Sequence, residues 1–159
     1  MTSLTEVPGE PPRSAGPVNA SGRVAGPVGS LRDQLDGAHV AVVGLGRTGR
    51  AVVDALATLG ARIHVFDSRE ASIEALDASA HPALASCVVS AAVADDEACA
   101  AALADSPARL LVVSPGVPAT GPVLRTAEAV GIETWSEIEL AWRLQQDSSR
   151  PDVPWLTLT

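Results

Sequence analysis

The chain has 159 residues, enough for one domain of ordinary size with a piece of a second. Hydrophobic residues make up 47% and charged residues 19%, so a real core can form and disorder of the whole chain is excluded. The net charge of −8 argues against nonspecific nucleic-acid binding, and all eleven basic residues are Arg, so chemistry that needs a lysine of this chain is excluded too.

Residues 1–30 are dense in Gly and Pro and carry no periodic apolar pattern, which predicts a disordered extension. The amino terminus lacks a charged region followed by an apolar one, and no apolar run approaches membrane-spanning length. A cytoplasmic protein with no membrane partner is expected. Leu31 to Gly37 leads into the fold.

His39–Val43 reads as a strand apolar enough to be buried on both faces, as parallel strands are. It runs into Gly44-Leu-Gly46-Arg-Thr-Gly49, the stretch around which the chain is organised. Gly44 permits the tight turn, Gly46 lets a phosphate approach the backbone, and Gly49 lets the next helix pack closely on the strand. Thr48 to Leu59 is predicted helical, with Val52, Val53, Leu56 and Leu59 at helical spacing and Gly60 as its stop. Thr48 itself fits a helix cap, a role compatible with phosphate binding.

Arg62–Asp67 is a second strand that ends in an acid, followed by a short helix over Ala71–Asp77. Cys87–Ser90 is a weak third strand, and Asp95–Leu103 a helix with an acid at its positive end. Arg109–Val113 is the clearest later strand, broken by Ser114-Pro-Gly-Val-Pro118. Pro122–Val130 is a helix with proline at its start and Gly131 at its close. Ile132–Trp135 is a short strand, and Glu137–Leu144 a helix with Ile138, Ala141 and Trp142 on one face. Gln145–Asp152 reads as a polar linker, and residues 153–159 as the start of another buried strand.

Alternation of strand and helix after a Gly-rich turn predicts an α/β, Rossmann-like, doubly wound and mainly parallel sheet. Ligands of such sheets lie beyond the carboxyl ends of the strands. Three segments fall there: Gly44–Gly49, Asp67-Ser68-Arg69 and Ser114-Pro115-Gly116. Asp67 stands at about the spacing at which a dinucleotide fold places its ribose-binding acid, so the generic reading is NAD. Arg47, Thr48 and Arg69 are the local donors for a diphosphate, while Ser114 equally suits a turn-former. Cys87 and Cys99 are isolated and read as packed thiols. His39, His64 and His81 are scattered without partners at useful spacing, so packing is their default role, and no metal cluster or catalytic triad can be argued.

The combination Gly-Leu-Gly-Arg-Thr-Gly at 44–49, Asp67-Ser-Arg69, Val-Ser-Pro-Gly-Val-Pro at 113–118 and Gly-Ile-Glu-x-x-x-Glu-Ile-Glu-Leu at 131–140 resembles the amino-terminal part of the Mur ligases that add D-glutamate to UDP-N-acetylmuramoyl-L-alanine. The resemblance covers roughly residues 37–159. It implies a UDP-substrate-binding domain over 31–136 and, over 137–159, the truncated opening of a P-loop-type central domain. It puts Gly44, Gly46, Arg47, Thr48 and Gly49 at the diphosphate, Asp67, Ser68 and Arg69 beside the uracil, and Ser114, Pro115 and Gly116 on the cleft floor. The family usually has Thr at Ser68 and often an apolar residue at Arg47.

By the same resemblance residues 153–159 lead into an ATP phosphate loop, and the ATP, magnesium and D-glutamate sites of the parent enzyme lie beyond residue 159. The chain is then expected to bind no cofactor, to have no catalytic residue, to be inactive as a fragment, and to be monomeric. An NAD-binding domain of a dehydrogenase and a nucleotide-sensing regulatory module are the alternatives.

Overall fold

The computed structural model describes residues 29–78 and 88–148. Most of the extension expected over 1–30, His81, Cys87 and the strand expected at 153–159 lie outside the described residues. Ser30 caps the first helix, α1 (Leu31–Leu35), by accepting from the Asp33 N–H, while the Asp33 carboxylate accepts from the Ser30 N–H. The remaining elements are β1 (His39–Val43), α2 (Arg47–Thr58), β2 (Arg62–Asp67), α3 (Glu70–Ala78), β3 (Val88–Ala92), α4 (Asp96–Asp105), β4 (Leu110–Val113), α5 (Pro122–Val130), β5 (Glu133–Ser136) and α6 (Glu137–Asp147).

Among the described residues, five strands form one parallel sheet in the order β3-β2-β1-β4-β5. It is the α/β, doubly wound arrangement expected from the alternation of elements. Side chains alternate between its faces, as strand geometry requires. Val40, Val42, Ile63, Val65 and Val112 face Val53 and Leu56 of α2, Ile73 of α3 and Leu140 of α6. Ala41, Val43, Phe66 and Leu111 face Leu103 of α4 and Val123 and Ala127 of α5. With Val40, Ala41 and Val42 at most 1% exposed, β1 is buried on both sides.

Two glycines explain how α2 leaves the sheet. Gly44 has φ +91°, in the left-handed region that side chains disfavour. A Cβ at Gly49 would stand 1.9 Å from the Gly44 carbonyl oxygen, so only a bare Cα allows the helix to lie this close to the turn. Proline at the start of α5 and Gly131 at its end bound that helix as expected.

Several boundaries and faces differ from the sequence expectation. The helix after the Gly-rich turn begins at Arg47, so its cap is Gly46 and Thr48 is its second residue rather than a capping side chain. Gln145–Asp147 extend α6 instead of forming a linker. In α6 the buried residue is Leu140; Ala141, Ile138 and Trp142 are exposed, the latter two at 59% and 48%. Ile138 and Trp142 stand two positions either side of Leu140, on the opposite face of a 3.6-residue helix. His39 and His64 are not isolated: parallel pairing of β1 and β2 brings His39 Nδ1 to 2.9 Å from His64 Nε2.

Candidate functional site

A cleft of about 470 Å³ opens at the carboxyl ends of the strands, where the sheet order reverses between β1 and β4. Of the residues singled out in the sequence, Gly44, Gly46, Thr48, Asp67, Ser68, Arg69, Ser114, Pro115 and Gly116 line it. Arg47 and Gly49 do not: Arg47 is exposed on the first turn of α2, and Gly49 is buried against the Gly44 carbonyl.

The α2 end of the cleft is electropositive by construction. No side chain caps the helix and no acid stands in its first turn, so the N–H groups there are uncompensated by protein carboxylates. Gly46 has no heavy atom within 4 Å of where a Cβ would stand, which leaves the backbone approachable from the cleft. Thr48 and Arg69 add a hydroxyl and a guanidinium on the same rim.

Asp67, at the end of β2, is 5% exposed and is the one buried charged side chain among the described residues. Its Oδ2 accepts the Leu45 N–H at 2.5 Å and Arg69 Nη2 at 3.1 Å; its Oδ1 accepts the Arg69 N–H at 2.8 Å and Arg69 Nε at 3.1 Å. Burial pushes the carboxyl up, but the Arg69 side chain and the Leu45 and Arg69 amides outweigh it and hold the group below its ordinary 3.8. Asp67 is therefore an anion that the chain itself has fully partnered.

Ser114 sits on the opposite lip. Its Oγ donates to the Gly44 carbonyl at 3.1 Å, and its own carbonyl accepts the Val117 N–H at 3.1 Å. Turn-forming and cleft-lining are thus both properties of this one residue.

The wall contributed by α4 went unrecognised in the sequence. Val93, Asp95, Asp96 and Cys99 line the cleft there, with Asp95 capping α4 by accepting the Ala98 N–H at 2.8 Å. The acid at the helix start was the available signal; that α4 packs on the sheet face carrying Phe66 of β2, and so reaches this cleft, depends on the strand order. Burial pushes the Cys99 thiol up to about 11, helped by Asp96 and Asp67, so it is a neutral packing group near neutral pH. Among the described residues no group of three or more His, Cys, Asp or Glu could hold a metal ion, and no helix is long and apolar enough to cross a membrane.

A parallel sheet in this order, with a Gly-rich turn and an uncapped helix at the switch point, defines a Rossmann-like α/β domain. The pattern described as "Mur ligase MurD-like, N-terminal domain" matches residues 38–136, and the chain belongs to that family. It is 44% identical over 124 residues to the UDP-N-acetylmuramoylalanine–D-glutamate ligase of Mycolicibacterium vanbaalenii, covering 77% of this chain and 23% of that protein. With the corresponding ligase of Leifsonia xyli subsp. xyli the identity is 40% over 118 residues, covering 72% and 21%. The chain thus spans about a quarter of the length of the curated relatives it matches.

Among solved structures, UDP-N-acetylmuramate:L-alanyl-gamma-D-glutamyl-meso-diaminopimelate ligase from Neisseria meningitides superposes with a TM-score of 0.51 at 16% identity, over 67% of this chain and 30% of that one. That likeness concerns the fold alone.

Proposed function

We propose that this chain is the part of a D-glutamate-adding Mur ligase that holds UDP-N-acetylmuramoyl-L-alanine by its nucleotide. The observation that carries the reading is the uncapped start of α2 beside an unobstructed Gly46, in a cleft whose rim supplies Thr48 and Arg69. Such an end offers backbone N–H donors and a favourable dipole to a diphosphate, even in a chain of net charge −8. Membership of the family and the names of its relatives point to the UDP-sugar peptide as the molecule carrying that diphosphate.

In this reading Gly44, Gly46 and Thr48 receive the diphosphate, Ser68 and Arg69 border the uracil, and Ser114-Pro115-Gly116 form the floor. Arg47 and Gly49 contribute through the helix they begin and the packing they allow. The chain supplies the substrate handle; ATP, magnesium and D-glutamate belong to the rest of the parent enzyme, and their use by it is part of this proposal. The dehydrogenase reading is disfavoured because Asp67, its ribose acceptor, already takes four protein donors.

Calorimetric titration of the purified chain tests this. Saturable binding of UDP-N-acetylmuramoyl-L-alanine and no heat from NADH is expected. Binding of NADH without binding of the UDP compound would overturn the reading.

A further inference from the structure

We propose that Asp67 is a positioning residue that touches no ligand and acts on one only through Leu45 and Arg69. The inference deepens the proposed nucleotide-binding role and rests on it. A carboxylate offers about four acceptor sites on its two oxygens. In Asp67 all four are taken by protein donors, two on each oxygen, and the side chain is 3% exposed. A ribose hydroxyl could bond it only by displacing a charge-assisted hydrogen bond.

The two groups that Asp67 holds both bear on the cleft. Leu45 lies between Gly44 and Gly46, so the hydrogen bond its N–H donates to Asp67 Oδ2 fixes the Gly-rich turn against the end of β2. The guanidinium of Arg69 is gripped side-on through Nε and Nη2, which sets its plane. Three of its five N–H donors and both planar faces remain, on a side chain that is 62% exposed and lines the cleft. Held this way, Arg69 loses little rotamer freedom when it meets a base or a phosphate. The acid that a dinucleotide fold would aim at a ribose is here spent inside the protein.

The test uses the intact 159-residue chain with UDP as the probe, in calorimetric titrations of wild type, D67N, R69Q and the double variant. Each single substitution is expected to weaken UDP binding about tenfold, and the double variant to bind like D67N, because Arg69 without its holder contributes little. Losses that multiply to about a hundredfold, or a D67N chain with unchanged affinity, would overturn the proposal; the second is what a role in stability alone would give.

If D67N loses its cooperative unfolding transition, proton–nitrogen NMR of the wild type decides. The Leu45 amide and Arg69 Nε protons are expected far downfield and unmoved by saturating UDP. An upfield move of Leu45 on UDP binding would mean that the ligand has taken the carboxylate, and the proposal falls. Failure of the wild type to bind UDP at all sinks the nucleotide reading together with it, whereas binding with multiplying losses sinks this inference alone.

Discussion

The Ser114 hydroxyl donates to the Gly44 carbonyl at 3.1 Å, joining turns 70 residues apart in the chain. It is a direct tie between the two strands that flank the point where the sheet order reverses. Ser114→Ala removes the donor and leaves the Gly44 carbonyl short of a partner, at an expected cost of about 1 kcal/mol. Urea unfolding of the variant measures it; a midpoint equal to wild type would show the tie to be inert.

Gly49→Ala should be far more damaging. The new methyl group would meet backbone, the Gly44 carbonyl oxygen at 1.9 Å and its carbon at 2.9 Å, which no side-chain rotation relieves. A loss of about 3 kcal/mol is expected, with UDP binding abolished because α2 must tilt away from the turn. Gly46→Ala, where a Cβ meets nothing within 4 Å, should leave thermal stability near wild type while weakening UDP. Equal unfolding midpoints for the two variants would contradict this account.

The half-buried position of His64 beside His39 is expected to make stability fall on mild acidification. Burial, and secondarily the charge of His39, push the His64 pKa below 6.5. The folded state therefore disfavours the proton that the unfolded chain accepts. The contribution is fully present above pH 6.5 and is lost as pH falls through the lower folded value. Thermal unfolding between pH 7.5 and 5 should show a slope that flattens in His64→Asn; an unchanged slope would assign the acid sensitivity elsewhere.

The chain by itself should release no phosphate from ATP, with or without UDP-N-acetylmuramoyl-L-alanine, D-glutamate and magnesium. It contains no lysine to contact a transferring phosphoryl group, and the proposed function assigns this chain the substrate handle alone. A phosphate-release assay on protein purified to homogeneity checks this, and turnover that follows the chain through successive columns would refute it.

Much of the fold is legible because its signals are local. β1 and β2 are apolar or β-branched runs bounded by Gly and Asp, and both have the expected ends. Proline and glycine punctuate α5 at the expected residues. The motif residues at three strand ends come together because parallel topology sends every strand the same way. What was not legible depends on strand order or on a choice between equivalent faces. α6 carries two apolar stripes, Ile138 with Trp142 and Leu140 with Leu144, and periodicity cannot say which of them the sheet takes. The His39–His64 contact needs the register of two strands, and the α4 wall needs the position of β3 beside β2.

The place of β1 between β2 and β4 has a consequence for synthesis. A nascent chain completes β1, α2 and β2 well before Leu110–Val113 emerges to pair with Val40–Val43. Until then the central strand presents an open, wholly apolar edge, the kind of surface on which copies of a chain stick to one another. A version stopped at residue 108 should scatter light at concentrations where one reaching residue 148 stays clear. On this account the second half of the sheet should protect the first by covering its open edge as soon as β4 pairs with β1.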